Sequence, residues 1–179
     1  GRDDPAQGNA FWLLCCPNST YVAVMATLIT VLCGAMAGYG LTRFRPASTW
    51  MGRMFGNGTI LFAILATRIL PPIVVALPIY FMARFTGTLD TRLALVLTYG
   101  AANLPVAVWL LRPVFGSRAS QQEEAATLDG ASHMQVFFAI FLPMVATGLF
   151  ATWLLVFILC WYEYLFAAYL ATNDAMTLP

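Results

Sequence analysis

Between Thr20 and Leu41 the chain carries no charged residue. About 20 consecutive apolar residues in a helix cross the hydrocarbon core of a bilayer. Inside lipid, only a helix or a closed barrel satisfies its own backbone polar groups. This run therefore predicts a transmembrane helix. Within it, Gly34-x-x-x-Gly38, flanked by Ala35 and Ala37, places small residues on one face and predicts close helix packing. A second apolar run, from about Asn57 to Phe85, is too long for an upright span. Pro71-Pro72 interrupts its hydrogen-bond ladder, so a kinked or broken helix is expected, with Pro78 marking a further bend. A third span is predicted at about 92–111 and a fourth at about 143–162. Tyr164–Thr172 is apolar but too short to cross, which predicts a re-entrant or interfacial piece. The fold class expected is all-α, a polytopic membrane helical bundle forming one domain over 1–179.

Composition leads to the same class. Apolar residues make up 60% of the chain and charged residues 9%, with a mean hydropathy of +0.76. A soluble domain carries roughly 25% charged residues, so this surface could not be covered in water. A net charge of +1 gives no basic field, which argues against nucleic acid as a partner. The cysteines at 15, 16, 33 and 160 have no C-x-x-C spacing and indicate neither a zinc site nor a disulfide framework. With His133 as the single histidine, no His-x-x-x-His metal site or triad with a spare base is available. No Gly-rich phosphate loop occurs, and the chain has no Lys to complete one. No cofactor, metal or catalytic role is expected. If transport uses ATP, another subunit must bind it.

Charge is rare, yet three of the eight acidic residues, Glu123, Glu124 and Asp129, fall in one loop at about 115–142. Ser120-Gln-Gln-Glu123 reads as a capping box opening a short helix, whose first-turn acids suit the helix dipole. Asp129-Gly130 should end it, because Gly tolerates the left-handed conformation of a helix terminus. Ser132-His-Met-Gln135 is a second box opening another helix, which Leu142-Pro143 closes or kinks. Ala125 and Ala126 keep one side of the first helix low enough for close docking. A charged, capped helix-turn-helix between apolar runs is suited to a soluble partner.

Glu124-Ala125-Ala126, then Gly130, then Ile140-x-Leu142-Pro143 resemble the Glu-Ala-Ala loop of ATP-binding-cassette importer permeases. The longer form from Glu124 to Ala131 is similar to the carbohydrate branch, of the maltose and polyol type. Asn18-Ser19, Gly38-Tyr39-Gly40-Leu41, Arg43-Phe44-Arg45, Arg68-x-x-Pro71-Pro72, Asn103-Leu104-Pro105 and Thr177-Leu178-Pro179 fall in register with the same family. Two departures stand out. Arg118-Ala119 replaces the usual Ile-Pro pair, and Trp161-Tyr162-Glu163-Tyr164 stands where Trp-Asn-Glu-Phe is common. The resemblance implies a type I importer permease in a bacterial inner membrane, with a cytoplasmic coupling loop. It implies ATPase contact at Glu123, Glu124, Ala125, Ala126, Asp129 and Gly130. The implied partners are ATPase subunits, a second homologous permease and an extracytoplasmic solute-binding protein. Such permeases typically have six spans, and in register this chain lacks the first and last, so it reads as a fragment.

With that loop cytoplasmic, the inner segments hold Arg43, Arg45, Arg53, Arg112 and Arg118, and the outer ones Arg2, Arg84 and Arg92. This asymmetry agrees with the positive-inside rule. Four polar or amphipathic residues are candidates for a translocation path: Arg68, Asn103, Trp161 and Glu163. Arg68 either faces a water-filled path or pins the proline kink by bonding freed carbonyls. Asn103 either lines the path or satisfies backbone released by Pro105. Glu163 among aromatics suits a sugar, whose C–H faces pack on rings while its hydroxyls bond carboxylates. The other reading is an interfacial belt with a snorkelling acid. Counted from the cytoplasm, Arg68 and Glu163 should differ by roughly 13 Å in height at about 1.5 Å per residue, so no ion pair is expected. The resulting expectation is a membrane subunit of an importer for a sugar or sugar alcohol. The alternatives are a passive channel, an ion-coupled transporter, or an importer permease for a non-carbohydrate solute.

Overall fold

Proline sets where the helices break. The computed structural model describes residues 5–43, 57–116, 126 and 128–171, with side chains from residue 16 onward in the first helix. Helix α1 spans Pro5–Arg43 and α2 spans Asn57–Ala66, continued by a 3₁₀ turn at Thr67–Ile69. Leu70 and Pro71, each followed by proline, have ψ of 131°. The ring of a following proline excludes the helical conformation at both positions. Helix α3, Pro72–Phe85, restarts with proline in its first turn and leaves at 84° to α2. The further bend expected at Pro78 does not interrupt α3, which runs through it as one helix.

Helix α4 is Arg92–Gly116 and carries Pro105 and Pro113 internally. Helix α5, His133–Met144, meets α6, Ala146–Trp161, at 79° through Val145, whose φ is −99° and ψ 10°. The break falls two residues beyond Pro143. Upstream, Val136–Phe141 widens into a π turn, with the Leu142 N–H bonding the Phe137 carbonyl five residues back. A short α7, Leu165–Leu170, follows. Cys16–Thr42 and Arg92–Phe115 are long and apolar enough to cross a membrane, and each bent pair qualifies when taken as one span.

Helices α1 and α4 form the centre of the bundle. A Cβ on Gly34 would lie 2.9 Å from the Ala107 Cβ, and one on Gly38 would lie 3.0 Å from the Phe115 ring. The two small residues therefore let the backbones meet. One end of the bundle packs Val22, Ala26, Leu95, Tyr99, Val156 and Phe166 together. The other packs Tyr39 and Phe115 against Phe137 and Phe141 of α5, with ring centroids 4.7 to 5.1 Å apart. Edge-on aromatic contacts of this kind add about 0.5–1.5 kcal/mol each beyond burial. Outward-facing residues are apolar too: Phe85 is 94% exposed and Ile69 78%. An apolar exterior around an apolar core is what a lipid solvent permits and water does not.

Replacing Gly34 with Ala should push α1 off α4 and cost about 1–3 kcal/mol through overpacking. The melting temperature in detergent should fall, and Ala107→Gly in the same chain should restore it. An unchanged melting temperature for Gly34→Ala alone would contradict the close contact.

Candidate functional site

A cavity of about 340 Å³ opens where the broken α2–α3 segment faces α4 and the start of α7. Small-molecule pockets begin at about this volume. Its wall is apolar apart from Thr67, Arg68, Thr98 and Glu163. The 3₁₀ turn before Leu70 brings Arg68 to the wall, and the break between α6 and α7 brings Glu163 there. One cation and one acid therefore share a small, largely greasy chamber.

Behind the wall lies a chain of hydrogen bonds centred on Asn103, which is wholly buried. Arg68 Nη1 donates to the Ala102 carbonyl and, at 2.9 Å, to Asn103 Oδ1. Asn103 Nδ2 donates to the Tyr99 carbonyl at 2.9 Å and sits 3.4 Å from Cys160 Sγ. Tyr99 Oη donates to the Glu163 backbone carbonyl at 2.8 Å. From the other side, Thr30 Oγ1 is shared between the Ala26 carbonyl at 2.6 Å and the Gly100 carbonyl at 3.2 Å. Pro105 cannot donate to Ala101, and the neighbouring carbonyls at 99, 100 and 102 all receive side-chain donors.

The structure brings two of the four path candidates, Arg68 and Glu163, onto the cavity wall. Asn103 sits behind it as a support, bonding both Arg68 and backbone. Trp161 is not on the wall; it packs at a tilt against Phe157 at 5.7 Å, ending a ladder with Trp153 and Phe150 along α6. The expected 13 Å height difference is also corrected. Arg68 attaches to α4 at Ala102 and Asn103, and Glu163 at Tyr99, roughly 5 Å along the same helix at 1.5 Å per residue. The count of residues assumed straight, upright spans, whereas Arg68 lies at an 84° bend. Arg68 bonds a backbone carbonyl, but that carbonyl belongs to α4 and not to its own segment. Sequence reasoning missed Tyr99 and Thr98. Their signal was spacing: Tyr99 and Asn103 are four apart and share a helix face.

The second candidate region is the loop. Glu123, Glu124 and Ala125 lie outside the described residues, as does the box at Ser120. Gly130 has a φ of +88°, and the Ala131 N–H bonds the Ala126 carbonyl at 3.0 Å. This six-to-one bond over a left-handed glycine is a Schellman cap. Asp129 and Gly130 are exposed, and Leu128 is 89% exposed. The box at Ser132 is complete: Ser132 Oγ accepts from Gln135 N at 3.3 Å, and Ser132 N donates to Gln135 Oε1 at 2.9 Å. Two capped helix ends thus define a turn with an apolar tip facing solvent. The helix it opens, α5, plants Phe137 and Phe141 between Tyr39 of α1 and Phe115 of α4.

Among the described residues, an all-helical bundle of apolar, partly broken spans around a mostly apolar chamber defines a polytopic membrane protein. Residues 46–179 match the family model of binding-protein-dependent transport system inner membrane components, and the chain belongs to that family. Its fold is that of the type I permeases of ATP-binding-cassette systems. It is 37% identical over 162 residues to the probable ABC transporter permease protein y4oR of Sinorhizobium fredii, covering 90% of this chain and 55% of the relative. To the trehalose transport system permease protein SugB of Mycobacterium tuberculosis it is 33% identical over 163 residues, covering 90% and 57%. To the diacetylchitobiose uptake system permease protein NgcG of Streptomyces coelicolor it is 33% identical over 157 residues, covering 88% and 49%. The chain spans about half the length of the curated relatives it matches.

One crossing, α4, separates Phe85 from the loop. In a background with native cysteines replaced, Leu128→Cys should react with a membrane-impermeant thiol reagent only from the cytoplasmic side. Phe85→Cys should react only from outside. Labelling of both from one face would overturn this orientation.

Proposed function

We propose that the chain is the core of a membrane subunit in an ATP-driven importer that passes a sugar or sugar alcohol across the bacterial inner membrane. The observation that carries this reading is the match of residues 46–179 to a family defined by binding-protein-dependent transport. Relatives named for trehalose, diacetylchitobiose and maltose favour a carbohydrate solute over other classes. In this reading the solute arrives on an extracytoplasmic binding protein. A second, homologous permease completes the pathway, and two ATPase subunits supply the energy. A passive channel or ion-coupled transporter would have no use for an ATPase-docking loop, and no observation favours either.

The mechanism follows from how the loop is built into the bundle. The helix ending at Leu128 sits in a groove of the ATPase, with Glu123, Glu124, Ala125, Ala126, Asp129 and Gly130 at the contact. ATP-driven closure of the ATPase pair moves the loop. Phe137 and Phe141 are wedged against Tyr39 and Phe115, so displacement of α5 reaches α1 and α4 as a rigid push. Packed aromatic clusters transmit such shifts because they switch between discrete packings. At the far end, the α2–α3 break and the α6–α7 break flank the cavity, and rotation about them opens it alternately to either side.

Gly130→Pro, which forces φ to about −65° where the turn uses a left-handed value, should uncouple ATP hydrolysis from uptake without changing surface abundance. Glu124→Arg, which puts the wrong charge in a first turn, should act the same way. Uptake into vesicles by the full-length subunit, read beside ATPase rate, is the measurement. Normal coupled uptake in both variants would sink the docking-loop reading.

Glu163→Ala should lower solute uptake several-fold while leaving assembly with the ATPase intact, because the carboxylate is a transient hydroxyl partner along the path. Glu163→Gln should fall between the two, since it keeps hydrogen bonding without charge. A path group must bind weakly enough to release, so a partial loss is the expected outcome. Normal transport by both variants, with poor membrane insertion, would make Glu163 an interfacial anchor instead.

A further inference from the structure

The guanidinium of Arg68 is used along one edge only. Both Nη1 donors are committed to α4, one to the Ala102 carbonyl and one to Asn103 Oδ1. Of the five N–H groups of an arginine, three remain, on Nε and Nη2, and Arg68 lines the cavity. Parallel donors on one guanidinium edge suit two adjacent oxygens of a single molecule. The orientation of that edge is set from behind by a wholly buried amide, itself fixed by bonds to Tyr99 and Cys160.

The geometry points to Arg68 as the specificity-determining residue of the cavity and to Asn103 as its positioning residue, for a neutral solute bearing adjacent hydroxyls. This rests on the importer reading above. One feature selects neutral over anionic solutes. Glu163 stands on the same wall, so a carboxylate or sulfonate drawn to Arg68 would meet a like charge. A polyol meets no such conflict: two of its oxygens accept from Arg68 while another hydroxyl donates to Glu163. The remaining wall is mostly apolar, as the C–H faces of a sugar ring require.

Asn103 allows the positioning role to be separated from a structural one. Asn103→Leu and Asn103→Asp both abolish the amide N–H bonds to Tyr99 and Cys160, but only Leu also removes the acceptor that holds Arg68. The test uses the full-length permease assembled with its ATPase partners and purified in detergent without the binding protein, so that affinity reports the cavity itself. Radiolabelled trehalose, maltose and sulfoquinovosyl glycerol, which carries a sulfonate, serve as probes. Kd is read per assembled complex, so weakly expressed variants remain readable. Asn103→Leu should raise Kd for the neutral sugars about tenfold, while Asn103→Asp stays within about threefold of wild type. Arg68→Lys, which replaces the fork by a point charge, should raise Kd by a similar factor. Because Asn103 acts through Arg68, the double variant Arg68→Lys with Asn103→Leu should be no worse than Arg68→Lys alone.

Equal Kd in wild type, Asn103→Leu and Arg68→Lys overturns the inference while leaving the importer reading intact. Equal impairment by Leu and Asp makes Asn103 a purely structural residue and overturns its positioning role. Tighter binding of the sulfonated sugar overturns the assignment to neutral solutes. Binding of none of the three by wild type overturns this inference, while the importer reading stands or falls separately on ATP-dependent uptake in cells.

Discussion

A carbonyl released by proline inside a bilayer has no water to bond, and this constraint organises the structure. Each unsatisfied backbone group in hydrocarbon costs several kcal/mol. The helices respond differently at each proline site. At Pro71 and Pro72 the helix is abandoned altogether and the chain turns through 84°. Ahead of Pro143 it widens into a π turn. Around Pro105 the helix continues, and side-chain donors cluster on the neighbouring carbonyls: Thr30 of α1 on Gly100, Asn103 on Tyr99 and Arg68 on Ala102. The third arrangement has a further consequence. It ties two other elements, α1 and the broken segment, to one level of α4 and leaves a charged group facing a cavity.

The bundle divides along its length into two regions with different materials. Around the cavity the packing is mostly of small and branched residues with Tyr99 and Phe166 among them, interleaved with the polar chain from Arg68 to Glu163. At the loop end it is aromatic, with Tyr39, Phe115, Phe137 and Phe141 in mutual contact. The close approach of α1 and α4 at Gly34 and Ala107 joins the two regions. In the proposed mechanism, a push delivered at the aromatic end would have a stiff route to the polar end, because interiors packed at crystal-like density transmit strain.

The turn at Gly130 satisfies its own backbone groups while exposing an apolar side chain. The Schellman cap and the capping box at Ser132 bond backbone groups that would otherwise need water. In the docking proposed above, those internally bonded groups would make no demand on the partner that covers Leu128. A mobile, uncapped loop would pay ordering entropy on each docking event.

The sequence by itself determined the membrane class, the all-α fold, the break at the proline pair, the glycine at the close helix contact, the turn at Gly130 and the box at Ser132. All of these are local: a run of apolar residues, a ring without an N–H, a missing Cβ, or a cap closing over three residues. It also carried the family resemblance, because the motifs Glu124-Ala125-Ala126, Gly130 and Leu142-Pro143 lie in order within one short segment of the chain. Only the tertiary structure decided what the intramembrane polar residues do. Arg68 and Asn103 are 35 positions apart, and Tyr99 and Glu163 are 64 apart, so neither bond has a signature along the chain. A height count along straight spans placed Arg68 and Glu163 far apart, and an 84° bend brought them to one wall. Trp161 read from sequence as a path residue because it neighbours Glu163, but the break after α6 turns the two to different surroundings. Period and spacing fix which face a residue occupies on its own helix. Which other helix that face meets, and at what height, depends on bends and packing that no local window contains.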